Sequence, residues 1–152
     1  MDSAQHIRLL QLTYAAQLAD AATQYGRAGI IDEVTAQRRT QRLATGAAQA
    51  AQMGISEPQA AFTSSAALFG CADWTVSQAS NGGDGPAAGF VATAGRCLLC
   101  GLVKKAGGPS PCRLFCLDPI EGLVRGLAPH AAFDVRETLY DGEQCRVRVA
   151  TS

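Results

Sequence analysis

Residues 109 to 122, "PSPCRLFCLDPIEG", set Cys112, Cys116, Asp118 and Glu121 close together. A cysteine acts as a nucleophile or metal ligand only as its thiolate, and a helix N-terminus lowers a thiol's pKa from about 8.5 toward neutrality. Asp118, Pro119 and Glu121 read as the cap and first turn of a helix, with Cys116 two residues ahead. That spacing points to Cys116 as the candidate nucleophile. A buried cysteine also packs as a small hydrophobe, which is the competing reading. Capping by itself accounts for Asp118, although a partly exposed cap can also orient a water or a substrate amine.

Cys97 and Cys100 are three apart on an expected helix and share its face. With Cys112 and Cys116 they make Cys-x2-Cys, eleven residues, Cys-x3-Cys, and four thiolates can enclose a structural zinc. The second pair lacks the tight knuckle spacing and the first lies in an apolar helical pattern, so no metal is assigned. A Cys97–Cys100 redox couple lacks the surrounding βαβ pattern of thioredoxin-like proteins. His130 follows Pro129 at a helix end and is a candidate acid or base if the fold returns it toward Cys116. His6 lies at the start of the first helix. Trp74, Phe90, Phe115, Phe133 and Tyr140 read as core or as walls of a small-molecule pocket. The glycine pairs lack the strand-to-helix setting of a phosphate loop, so no nucleotide or other cofactor is called for.

The elements that must position these residues follow from periodicity. Ile7, Leu10, Tyr14, Leu18, Ala21 and Tyr25 recur three and four apart and predict an amphipathic helix. A second helix is expected from about Asp32 to Met53, with Gly54 as its stop. In "SEPQAAFTSSAALFG", Ser56 with Gln59 predicts a capping box, Pro58 suits the first turn, and Gly70 closes the helix. "DWTVSQAS" and "AAGFVATAG" around "NGGDGP" predict a hairpin. "RCLLCGLVKKAGG" and "DPIEGLVRGLAP" predict two more helices. "AAFDVRETLY" and "QCRVRVA" around "DGE" predict a second hairpin, in which Cys145 alternates onto one face with Val147 and Val149. The expectation is an α+β fold, with N-terminal helices packed on a small antiparallel sheet of two hairpins and two further helices.

The 152 residues suit a single domain, with a helical part over 1–70 and a mixed part over 71–152. Thirteen basic and thirteen acidic residues balance, which argues against a nucleic-acid partner. The N-terminus lacks the basic start and apolar core of a signal peptide, and no apolar run is long enough for a membrane span. The expectation is a cytoplasmic protein with reduced thiols and a small-molecule substrate. Its alanine-rich N-terminal helices are a candidate surface for homo-oligomerisation.

From about Trp74 to Val149 the chain resembles the L-2-amino-thiazoline-4-carboxylic acid hydrolase family. The likeness is carried by "RCLLCGLVKKAGG", "FCLDP" and "ETLYDGEQCRVRV", in that order. The resemblance implies hydrolytic ring opening of a thiazoline-like or other cyclic C=N substrate, with Cys97, Cys116, Asp118 and Cys145 on the family's cysteine and acid positions. Cys116 would attack the C=N carbon, Asp118 would handle a proton or hold the substrate nitrogen, and water would release the adduct. Cys97, Cys145, His130 and Trp74 are the candidate substrate-binding residues. "PCRLFCLDPIEGLVRGL" with "VRETLYDGEQCRVRV" is also similar to the 4-vinyl reductase domain, which implies a small-molecule or metal-binding module without turnover.

Overall fold

The computed structural model describes residues 1–79 and 89–151, so the "NGGDGP" turn lies outside the described residues. Asp2 caps the first helix, α1 (Ser3–Arg27), in a capping box with Gln5. The apolar stripe expected to face the core stays largely exposed, with Ile7 at 56%, Leu10 at 59% and Tyr14 at 47%. The buried face is instead Ala15, Ala19, Ala22 and Thr23. Its small side chains let α1 lie close against Leu99 and Val103 of α4 (Leu98–Lys105). Periodicity located the helix but could not rank an alanine face against a leucine one.

α2 (Ile31–Gln52) and α3 (Pro58–Phe69) follow. The expected Ser56 capping box does not form: Glu57 holds the N-cap position without a side-chain bond, and Gln59 accepts from Gln78 at 2.8 Å. Pro58 stands in the first turn, and Gly70, at φ 62°, ends α3 in the left-handed conformation glycine favours.

Four strands, β1 (Thr75–Gln78), β2 (Gly89–Ala94), β3 (Ala132–Glu137) and β4 (Cys145–Ala150), form one antiparallel sheet in the order β1-β2-β4-β3. The two hairpins join through β2 and β4, which pair Phe90 with Val149, Ala92 with Val147 and Ala94 with Cys145. Alternation puts Phe90, Phe133, Cys145, Val147 and Val149 into the core and Asp134, Arg136, Arg146 and Arg148 outside. The architecture is α+β. Phe62 of α3 anchors the core, edge-on to Trp74 at 5.1 Å and to Phe90 at 5.7 Å.

The last helix departs from expectation in a way that decides the site. Asp118 is not an N-cap: it opens α5 (Asp118–Leu127) in α-helical conformation, continuous with a π-helical turn over Arg113–Leu117. Pro119 has no N–H to give the carbonyl of Phe115, and its ring crowds that carbonyl. Widening the preceding turn, so that Asp118 N–H reaches the Arg113 carbonyl, accommodates the ring without ending the helix.

α2 and α5 cross on glycine. A β-carbon on Gly46 would land on the Gly122 carbonyl, and one on Gly126 would meet the backbone of Gly46 and Ala47. Gly126→Ala should therefore cost about 1–2 kcal/mol, overpacking outweighing alanine's better helix propensity. Urea unfolding would measure it; an equal or higher midpoint would show that the crossing can open freely.

Candidate functional site

The sequence argument that made Cys116 reactive belongs to Cys97. Cys97 is the N-cap of α4, in extended conformation, and its sulfur accepts the Cys100 N–H at 3.4 Å. It thus holds the helix-terminus position expected of Cys116. Cys116 lies inside the π turn, where no free N–H groups point at it. Cysteine lies outside the Ser, Thr, Asp and Asn set that signals an N-cap, which is why the start of "CLLCGLVKK" went unread as a thiolate site.

Backbone contacts bring Cys71 to the same place. Ala72 and Cys97 form an isolated antiparallel bridge, and Leu98 N–H donates to the Cys71 carbonyl at 2.7 Å. Cys100 follows one turn on with its N–H on the Cys97 sulfur, so Cys71, Cys97 and Cys100 fall together. Cys100 also stands 3.5 Å from Cys112, sulfur to sulfur, with both residues buried. The result is a chain of four sulfurs, in the order Cys71, Cys97, Cys100, Cys112. Cys116 and Cys145 complete the neighbourhood, since the charged neighbours of Cys116 are Cys97, Cys112 and Cys145. All six cysteines are free thiols.

The electrostatics alternate along the chain. Hydrogen bonds from the Cys100 and Cys71 thiols hold Cys97 far below the ordinary thiol range. Those same bonds push their donors up, Cys71 chiefly through Cys97 and Cys100 chiefly through Cys112. Cys112 is lowered by Cys100. Burial pushes Cys116 up, and it pushes Cys145 up to about 11 even though Cys145 accepts the Leu139 N–H at 3.2 Å. Cys97 and Cys112, the two lowered thiols, therefore alternate with the raised Cys71 and Cys100.

Cys97 opens to solvent. With Cys71, Gly70, Asp73, Arg96 and Lys105 it lines an open cleft of 620 Å³ between the segment after α3 and the outer face of α4. Asp73 shapes the rim by accepting the N–H groups of Gly95 and Arg96, both at 2.8 Å. A larger concavity of 680 Å³ lies on the outer face of the sheet, lined by Ser77, Arg136, Glu137, Arg146 and Arg148 among others, with no cysteine among its lining residues.

The other expected site residues are placed elsewhere. Asp118 faces α2, away from the thiols: its Oδ1 accepts from Arg39 at 3.0 Å and lies 3.5 Å from Arg113 Nη1. Two residues on from Cys116 in such a helix is nearly the opposite face. Glu121 joins it, bound by Arg39 at 3.0 Å and by Arg125 at 2.8 Å. Burial raises the Asp118 carboxyl, whereas Arg39 and Arg125 hold Glu121 below its usual range against the same burial. Arg39 lies 79 positions from Asp118 in the chain, so no local pattern announces the network. His130 stays exposed at the far end of α5, about 20 Å from Cys116 at the helical rise, and the fold does not return it. Trp74 is half-buried against Phe62 rather than on the cleft wall. Cys97 and Cys145 belong to one neighbourhood, with Cys145 on its buried side. The chain matches no protein-family model, no curated protein and no solved structure.

Proposed function

We propose that this protein is a cysteine-dependent enzyme that opens a small heterocycle bearing an electrophilic C=N bond, with Cys97 as its nucleophile. The observation that carries this reading is a cysteine at a helix N-cap, its sulfur accepting the Cys100 N–H and its acidity raised by the neighbouring thiols, on the wall of an open cleft. In this reading Cys97 sulfur bonds to the ring carbon while the ring nitrogen takes a proton, for which the neighbouring Cys71 thiol is the nearest protonated donor. The ring C–N bond then breaks, pushed by the lone pair of the other heteroatom on that carbon, and the nitrogen leaves protonated; water adds to the trigonal adduct so formed, and Cys97 is expelled as thiolate. An acidic thiol leaves faster than an ordinary one, so the donors that temper its attack favour its release. Asp118, bound by arginines on the opposite side of its helix, takes no part. The reading keeps the substrate class implied by the resemblance to the thiazoline hydrolases and moves the attack from Cys116 to Cys97.

The test is incubation with 2-aminothiazoline carboxylates and related cyclic amidines, with ring-opened product followed by mass and the protein quenched in acid. Turnover, with a substrate-mass adduct on the Cys97 peptide that Cys97→Ser lacks, is the expected result. Tight, stoichiometric binding without product or adduct would replace the enzyme by a ligand-binding module.

A further inference from the structure

A ring-opening enzyme of this kind needs one or two thiols in its site, and this neighbourhood holds six. The thiols are ordered: Cys71 and Cys97, which the ring opening uses, face the cleft, whereas Cys100 and Cys112, which it does not, lie behind them with their sulfurs 3.5 Å apart. A disulfide needs about 2.0 Å between sulfurs, so small side-chain rotations close that gap. Among the described residues no three His, Cys, Asp or Glu side chains are grouped to hold a metal ion.

We infer that the four sulfurs form a relay that reduces a hydroperoxide at Cys97 and carries the resulting disulfide inward to Cys100 and Cys112. The Cys97 thiolate attacks the terminal peroxide oxygen, the O–O bond breaks, the alkoxide or hydroxide takes a proton, and Cys97 becomes a sulfenic acid. A neighbouring thiol, Cys71 or Cys100, attacks that sulfur and expels water, leaving a disulfide. From the Cys71 disulfide, Cys100 attacks Cys97 and frees Cys71. Cys112 then attacks Cys100 and frees Cys97 as thiolate. The balance is one peroxide and two thiols consumed, with one disulfide, one alcohol or water, and one further water formed. The oxidised electron pair comes to rest on the buried Cys100–Cys112 pair, and the cleft thiols return to their reduced state. Turnover requires an external thiol reductant, which reaches the relay by running the exchange outward through Cys97.

The alternation of protonated and ionised sulfurs suits each step, because every thiolate has a protonated thiol as its neighbour. The inference shares Cys97 and Cys71 with the ring-opening reading, and Cys100 and Cys112 are its own. Disulfide formation without heterocycle turnover would leave the relay standing alone, and the reverse would leave the hydrolase.

The experiment adds hydrogen peroxide stepwise to the reduced full chain, quenches with N-ethylmaleimide at intervals, and maps peptides without reduction. Two thiols lost per peroxide, with a bond involving Cys97 appearing first and Cys100–Cys112 accumulating, is the expected result. Cys112→Ser should trap the bond at Cys97, and Cys97→Ser should slow all oxidation at least tenfold while unfolding at the same urea midpoint. Oxidation of Cys97 to the sulfinic acid without any disulfide would overturn the relay. So would bonds formed only between separate chains. Thiols that stay silent to peroxide until a chelator strips bound zinc or copper would overturn it in favour of a thiolate metal site.

Discussion

Alkylation of Cys97 by iodoacetamide should proceed at pH 5 within a few-fold of its rate at pH 8. An unperturbed thiol slows by roughly several hundred-fold over that interval, because its thiolate fraction falls with each step below a pKa near 8.5. The reason is local: the Cys100 and Cys71 thiols and the Cys100 N–H all donate to the Cys97 sulfur, and all of them favour the anion. The slope is the diagnostic and the absolute rate is not, since nucleophilicity falls as a thiol becomes more acidic. Peptide mass resolves the six sites. Cys97→Ser should remove the pH-independent component, Cys71→Ala or Cys100→Ala should restore much of the ordinary slope to Cys97, and Asp118→Asn should leave it unchanged. A flat profile at Cys116 instead would return the nucleophile to the π turn, and steep profiles at all six would end the thiolate reading.

Arg39→Met should cost about 2–3 kcal/mol at pH 7 and lower the urea midpoint by roughly 1–2 M. Arg39 hydrogen-bonds both Asp118 and Glu121, whose side chains are 2% exposed, and approaches them more closely than Arg113, the other cation that spans the pair. Removing one partner from a fully buried pair costs about 3–5 kcal/mol, and two facts reduce that here. Arg39 is itself 37% exposed, and Arg113 and Arg125 stay beside the carboxylates. The pH dependence follows from the two carboxyls. The lowered Glu121 contributes stability above its unfolded pKa, and that stability is lost as pH falls through its folded value. The raised Asp118 runs the other way, favouring the fold when protonated and losing that contribution as pH rises. Without Arg39 both carboxyls are raised further, so protonation relieves the variant more than the parent. The deficit should shrink between pH 7 and pH 4, and an equal deficit at both would show that Arg39 acts through packing alone.

The positions of the elements were legible because each rests on short-range patterns. Helical spacing in the first fifty residues, the Pro58 start and Gly70 stop, and the alternation of Cys145, Val147 and Val149 need no knowledge of the rest of the chain. The same patterns put a helix start at Asp118, and the structure puts a cysteine N-cap at Cys97 instead. Asp118-Pro119 signals a helix start, yet the chain accommodates the proline by widening the preceding turn over Arg113–Leu117, so that the helix runs through it.

The face of α1 that is buried, the pairing of Arg39 with Asp118 and Glu121, and the meeting of cysteines from 71 to 145 all join residues far apart in sequence. Element type is written in local spacing, because hydrogen bonding and capping act over a few residues. The acidity of a thiol depends on which groups fold against it, and for Cys97 one of the thiols that lower it, Cys71, comes from the far side of β1 and β2, brought back by the bridge between Ala72 and Cys97.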